Sequence, residues 1–331
     1  MLIDLPLELR DALEEKFHGV SSRELGRATR DLSERYRAGS GKGAPVVRST
    51  AEVLAYAAYR MPATYAATVA ALTALREQRP NWHPRTMFDL GAGLGAGIWA
   101  ATTVWPGLER ITAIDAVGPM ITAGQDLARK ASHIGLQRAE WLRADLLVAR
   151  LTERYDLVLV GYVLPELPAS RVAEVIDRAW NATDGALVVL EPGTPEGYGR
   201  VLAAQDLLLA KGGFPLAPCP HLPPCRMPEG DWCHFSVRLP RSQIHRIAKG
   251  ATMGYEDEKF SYVAVARAPA ERVYSRILRH PQIRGGHVYL QVCAPGGPKT
   301  IVVSKRDREL FNRARKSSWG DTFDVPGDSL G

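Results

Sequence analysis

Three of the four cysteines fall within fifteen residues, in the stretch Cys219-Pro-His-x3-Cys225-x7-Cys233-His234, and the fourth, Cys293, follows sixty residues later. Thiolates are soft ligands that bind zinc or iron-sulfur clusters in fours. Pro218, Pro220, Pro223, Pro224 and Pro228 stiffen a loop that can carry such ligands without a helix or strand beneath it. Cys293 closes an apolar run, Val288-Tyr-Leu-Gln-Val-Cys, so a buried core thiol is the competing reading there. The spacing matches neither C-x3-C-x2-C nor paired C-x2-C, which leaves zinc and iron-sulfur both open. His221 and His234 flank cysteines and are the alternative ligands.

A second set of residues suits a nucleotide-like ligand. Asp89-Leu-Gly91-Ala-Gly93-Leu-Gly95 closes a short apolar run; glycines there let the backbone turn from strand to helix and approach a ligand closely. Gly91, Gly93 and Ala96 fit a dinucleotide fingerprint, whereas Asp89 to Gly95 fit D-x-G-x-G-x-G, the first motif of class I S-adenosylmethionine (SAM) enzymes. A carboxylate two residues before the first glycine would repel a pyrophosphate but pair with an amino group, which favours SAM over NAD. Asp115, ending Arg110-Ile-Thr-Ala-Ile, can accept from ribose hydroxyls, and Asp145, after Trp141-Leu-Arg-Ala, stands where an adenine amine would lie. After the next strand, Gly161-Tyr162-Val-Leu-Pro-Glu166 offers Tyr162 and Glu166 as candidate catalytic contacts to substrate; a segment that only caps a helix over the cofactor is the other reading. It holds no N-P-P-Y or D-P-P-Y tetrapeptide and no Pro-Cys nucleophile.

These residues need a frame that brings strand ends together. Apolar runs at 85–90, 110–115, 139–143, 155–160 and 185–190 alternate with helical stretches, with Pro119 suited to a first helical turn. Such alternation means βαβ units and a doubly wound parallel sheet, whose ligands bind beyond the carboxyl ends of the strands. Residues 1–80 read as a helical region, interrupted at Gly39-Ser-Gly-Lys-Gly, in which Tyr56, Tyr59 and Tyr65 are expected to pack on the sheet. Residues 81–211 form the SAM-binding core and 212–258 a cysteine-rich metal-binding insertion. Residues 259–331 hold remaining core strands, beginning at Phe260-Ser-Tyr-Val-Ala-Val, a hairpin across Pro295-Gly-Gly-Pro and a basic extension.

The net charge of +6 is unevenly spread: Arg238 to Lys316 carry 17 Lys or Arg against 6 acids. Arg306, Arg308 and Arg315 are the candidate contacts to a polyanion, RNA above all. The first ten residues contain Asp4 and Glu8 and no apolar core segment, and no run of about 18 apolar residues could span a membrane. A cytoplasmic protein is expected, in which cysteines are ligands rather than disulfides.

Seven segments together resemble a known family: Tyr56-Ala-Ala-Tyr-Arg-Met-Pro-Ala-Thr-Tyr65, Asp89 to Gly95, Glu191-Pro-Gly-Thr-Pro195, Cys219-Pro-His-x3-Cys225, Asp231-Trp-Cys-His-Phe235, Lys259-Phe-Ser-Tyr262 and Ala314-Arg-Lys-x2-Trp-Gly320. They resemble the methyltransferase-like small-ribosomal-subunit assembly factors of mitochondria and their bacterial relatives, over nearly the whole chain. The resemblance implies a class I SAM-binding fold and a 4Fe-4S cluster on Cys219, Cys225, Cys233 and Cys293, with zinc as the alternative. It implies action on the small ribosomal subunit through its rRNA, as assembly factor or rRNA methyltransferase; separately, the protein is expected to be monomeric when free. A small-molecule methyltransferase with structural zinc and an inactive RNA-binding scaffold are the other readings.

Overall fold

The computed structural model describes residues 2–38, 47, 49–149, 151–219, 224–269 and 275–324. Four helices open the chain, α1 (Leu7–Lys16), α2 (Ser22–Ala38), α3 (Thr50–Ala55) and α4 (Met61–Gln78), with a π-helical turn, Tyr56–Arg60, joining the last two. The alternating part follows as β1 (Thr86–Leu90), α5 (Ala96–Val104), β2 (Arg110–Asp115), α6 (Gly118–Ala128), α7 (Ile134–Gln137), β3 (Glu140–Arg143), β4 (Tyr155–Gly161), α8 (Val172–Asn181), β5 (Thr183–Pro192) and α9 (Pro195–Ala210). Then come β6 (Phe214–Ala217), β7 (Phe235–Pro240), α10 (Gln243–Lys249) and β8 (Tyr255–Ala266). The chain closes with β9 (Arg276–Ile277), β10 (Gln282–Arg284), β11 (His287–Ala294), β12 (Gly297–Ser304) and α11 (Arg308–Lys316).

The large sheet runs β3-β2-β1-β4-β5-β8-β6, with β7 paired to β8. The first five strands are parallel and the last three join antiparallel. This is the doubly wound plan read from the alternation, and the point where strand order reverses lies between β1 and β4. The twelve residues of β8 serve three partners: Phe260 to Ala266 pair with β5 on one edge, while on the other Ala264 to Ala266 pair with β6 and Tyr255 to Phe260 with β7. The segment 212–258 is therefore not all loop, since β6 and β7 belong to the sheet.

Strand β4 shows why the central strands are continuous apolar runs: helices cover both faces, so Leu157 and Leu159 enter one core while Val158 and Val160 enter the other. Each such side chain stabilises the fold by about 1.5–3 kcal/mol relative to exposure. The N-terminal helices cover the first face, and α4 is buried nearly all round because its Ala63, Ala66, Ala67 and Ala71 let the backbone approach the sheet. A third core, Ile277, Val288, Leu290, Val292, Val303, Phe311, Ala314 and Phe323, is built by the four-stranded C-terminal sheet, α11 and the segment after it that carries Phe323. The expected hairpin is there, β11 against β12, with Ala294 opposite Gly297. Among the described residues no helix is long and apolar enough to cross a membrane.

Candidate cofactor cleft and cysteine cavity

A cavity of about 780 Å³ opens beyond the carboxyl ends of β1, β2, β4 and β5, a volume normal for a small-molecule site. Gly91 and Gly93 from the turn after β1, Asp115 from the end of β2, Asp145 after β3 and Tyr162 and Glu166 after β4 all line it. Gly93 has φ +56, and its amide donates to Asp115 Oδ2 at 2.9 Å while the Val117 amide donates to Oδ1 at 2.8 Å. Asp115 thus shapes the turn and keeps a lone pair on each oxygen for a ligand; burial raises its pKa. Asp145 is exposed and caps Leu147 N at 2.8 Å.

Two of the six residues expected to bind cofactor do not line the cleft. Asp89 is 3% exposed, lies under the turn, and has no partner for Oδ2; burial, then the Asp115 charge, pushes its pKa to about 7. Gly97 makes this possible, because a Cβ there would stand 2.3 Å from Asp89 Oδ2. Gly95, N-cap of α5, holds the turn from behind, next to Trp141.

Sequence reasoning missed the roof of the cleft. Tyr56, Tyr59 and Arg60, all in the π turn, line the cavity, and the packing expected of the three tyrosines is also present: Tyr59 and Tyr65 are buried in the core of that face, Tyr56 packs against it, and Tyr65 bonds to Thr103 at 2.9 Å. The signal was Pro62, inside an otherwise continuous helical stretch: it offers no N–H to the carbonyl of Ala58, and a widened turn ahead of it accommodates that loss. Arg60 stands over the Tyr162 ring at 5.1 Å and pairs with Glu258 at 3.4 Å, and Tyr162 Oη donates to Glu258 Oε1 at 3.3 Å. Tyr162 is the one non-glycine with positive φ, +59, among the described residues; such strain concentrates at functional sites. Burial, then Glu258, raises its pKa well above the ordinary phenol, and burial brings Tyr56 to about 12. Both therefore stay protonated and are not bases, with the Tyr162 proton given to Glu258.

Helix α9 separates this cleft from a second cavity. Its N-cap Thr194, with Glu196 and Arg200, lines the cleft, and Arg200 also holds the fully buried Glu191 at 2.6 Å, a carboxyl that burial raises to about 7 against the pull of that arginine. On the other flank Tyr198 and Gln205 meet Cys219, Cys225, Cys233 and Cys293, which all line one cavity. Tyr198 Oη lies 3.2 Å from Cys225 Sγ, and Gln205 Nε2 donates to Cys219 Sγ at 3.6 Å. Burial first, then the neighbouring sulfurs, lifts Cys219 to about 11, Cys293 to about 12 and Cys233 well above the free thiol. Arg276, 3% exposed, closes the cavity and donates to the carbonyls of Pro218 at 3.4 Å and Gly320 at 2.8 Å.

His234 is no ligand candidate here: it stacks on Trp232 at 5.1 Å, meets Trp319 edge-on at 4.9 Å, and does not line the cavity. His221 lies outside the described residues. Among the described residues no three His, Cys, Asp or Glu side chains stand close enough to hold a single metal ion. The cysteine loop is tied to the cleft, since Trp232 Nε1 donates to Gly193 O at 3.0 Å.

Much of the positive charge is internally paired. Arg238 meets Asp257, Arg241 and Lys249 meet Glu256, and Arg279 meets Asp231. Arg306, Arg308 and Arg315 are exposed, at and along α11.

Residues 50–324 match the family described as mitochondrial small ribosomal subunit Rsm22. The chain belongs to the Rsm22 family. It is 30% identical over 294 residues to the human mitochondrial ribosome assembly protein METTL17, covering 82% of this chain and 62% of that protein. It is 24% identical over 335 residues to an Rsm22-cox11 tandem protein of Schizosaccharomyces pombe, also mitochondrial, covering 83% of this chain and 43% of that one. The chain thus spans less than two thirds of the length of either relative. Among solved structures, magnesium protoporphyrin IX methyltransferase of Synechocystis with bound SAM aligns over 80% of this chain and 99% of that one at TM-score 0.41 and 14% identity, too loose a match to add to the strand order.

The Rsm22 relatives correct the cytoplasmic expectation, because each carries a mitochondrial name. An apolar core marks a secretory signal, whereas transit peptides are amphipathic and Arg-rich, so the lack of such a core in the first ten residues has no bearing on mitochondria.

Proposed function

We propose that this Rsm22-family chain binds SAM in the cleft beside the glycine turn and engages the small ribosomal subunit through its rRNA, as an assembly factor or an rRNA methyltransferase. The observation that carries the reading is the junction of Gly91, Gly93 and Asp115 at one end of a 780 Å³ cavity. There a ligand can approach bare backbone while its hydroxyls meet a carboxylate already fixed by two amides. Family membership and the assembly-protein relative supply the ribosomal partner.

Bound SAM supplies an electrophilic methyl group; this chain supplies orientation. Asp115 accepts from the ribose, Asp145 stands at the adenine end, and Tyr56 offers an O–H donor across the cleft, while Tyr162, whose O–H is given to Glu258, offers its oxygen as acceptor. The Arg60 and Glu258 contacts fix Tyr162, and Glu166 lies at the rim where an acceptor would enter. With no phenolate available at neutral pH, a transferred proton would have to leave through a carboxylate such as Glu166 or through water.

Cys219, Cys225, Cys233 and Cys293 would hold the metal group, iron-sulfur in preference and zinc as the alternative. Their shared cavity suits a cluster better than a lone zinc ion, because among these four described residues no three stand close enough to hold a single ion, and the raised Cys219, Cys233 and Cys293 thiols stay protonated until a cation replaces the protons. Calorimetry with SAM, S-adenosylhomocysteine and NAD tests the cleft, and radiolabelled SAM with naked rRNA, small subunits and small acceptors tests transfer. Tight NAD binding without SAM binding would sink the cofactor assignment. Methylation of small acceptors alone would favour the small-molecule reading, and SAM binding without transfer to any of them would leave a scaffold.

A further inference from the structure

The C-terminal sheet has one face covered by α11; the other is closed at its Cys293 and Arg276 end by the cysteine cavity and open at its His287 end. Period-two alternation places Val288, Leu290 and Val292 of β11 in the core beneath α11, so His287, Tyr289 and Gln291 point to the opposite side. On that side Tyr289 is 37% exposed and its register partner Val302 on β12 is 52% exposed. Gln282 of β10 is opposite Tyr289, and the His287 ring stands 6.4 Å from the Tyr289 ring. A large aromatic, a valine and a ring of histidine on one open end of a sheet is an unusual surface to leave in water.

The charge near the open end is positive. No Asp or Glu occurs between Glu271 and Asp307; Lys299, in register with the core residue Val292, and Lys305, over the Phe311 ring, belong to the α11 side, which leaves Arg284 and Arg306 beside the open face. Arg284 is exposed and in register with His287, which pairs with Ser304, two residues before the exposed Arg306. Cations therefore collect at the end of the face where the two rings lie.

We infer that this face is a stacking platform for unpaired RNA bases, with Tyr289 and His287 taking base faces and Arg284 and Arg306 neutralising the adjoining phosphates. It deepens the rRNA reading above and rests on it. Unpaired bases expose π faces that a flat sheet bearing aromatics can receive, whereas A-form duplex hides them. The absence of acids over the whole interval suits a polyanion better than an ordinary protein surface, which mixes both signs.

Full-length protein purified without oxygen is tested against a labelled single-stranded RNA of about 12 nucleotides and a hairpin duplex of the same composition. Tyr289→Ala should weaken single-strand binding about 5- to 30-fold, the loss of one stacked base, with duplex affinity within about twofold and Tyr289→Phe close to the parent. A 4-thiouridine probe should cross-link within residues 282–304. Unchanged single-strand affinity in Tyr289→Ala, equal losses on both RNAs, or cross-links confined to other segments overturn the platform; so does capture of a ribosomal protein, not RNA, by this face. The triple reversal Arg306→Glu, Arg308→Glu, Arg315→Glu separates the two readings. If it alone loses RNA, the rRNA reading stands and the platform falls; if the parent binds neither RNA, both fall.

Discussion

Replacing Gly93 by valine tests the cleft with the least ambiguity about folding. Gly93 sits at φ +56, where a side chain costs about 1–2 kcal/mol in backbone strain. A Cβ there would stand 3.3 Å from Met120 Cε and 3.6 Å from Tyr56 Oη; the thioether is flexible and can move aside. For 331 residues, an unfolding entropy of about 2.1 cal/mol/K per residue turns such a loss into a fall in Tm of only about 1–3 °C. The two methyl groups, in contrast, enter the space between Tyr56 and Asp115 that the ligand needs. Calorimetry should show SAM affinity reduced more than about 100-fold, and thermal scanning a nearly intact fold. Gly97→Ala is the converse control. Its Cβ would fall 2.3 Å from Asp89 Oδ2 and 2.5 Å from Leu159 Cδ2, so it should cost about 1–3 kcal/mol of stability by overpacking while it adds nothing to the cleft itself. Unchanged SAM affinity in Gly93→Val, or collapse of its fold, would refute the reasoning.

Cys293→Ser should lose most of its metal and loosen the C-terminal sheet together. Visible absorbance that dithionite bleaches, with iron and sulfide assays, checks this; a colourless anaerobic preparation with stoichiometric zinc would overturn the iron-sulfur assignment. RNA affinity should fall steeply with salt, and the Arg306, Arg308, Arg315 reversal should flatten that slope by about 0.7 per lost phosphate contact on a single strand while SAM affinity holds. Asp89 predicts a pH effect. Its folded pKa, about 7, lies above the ordinary 3.8, so the folded state holds the extra proton and its stabilising contribution is lost as pH rises from about 4 to 7. Asp89→Asn should remove up to about 4 kcal/mol of that fall and leave the protein more stable than the parent at pH 8 in urea titrations; parallel stability curves for the two proteins would contradict it.

The alternation of strands and helices, the glycine turn and the acids at strand ends were legible because each is a local property. Gly91 and Gly93 are needed where a strand must turn at once into a helix, and Asp115 where the next strand stops, so spacing alone locates them. The two-sided apolar runs of β4 and β5 likewise announce a sheet covered on both faces. The hairpin that carries Cys293 could be read from alternation and from Pro295 and Gly296.

Depth and convergence were not legible. Asp89 shares a motif with Gly91, yet the turn folds over it and it ends under α5, because a period in sequence reports which residues share a face and not what will cover them. Tyr56 and Tyr59 read as core-facing residues, and they are, but that they and Arg60 also roof the cleft follows only once Pro62 widens the turn and the chain packs across the strand ends. The gathering of Cys293 with three cysteines some sixty residues earlier depends on β8 passing between β5 and β6 and on the C-terminal sheet folding back. A sequence names the groups that could meet; long-range packing decides which of them do, since that contact is fixed only by the entire fold above it.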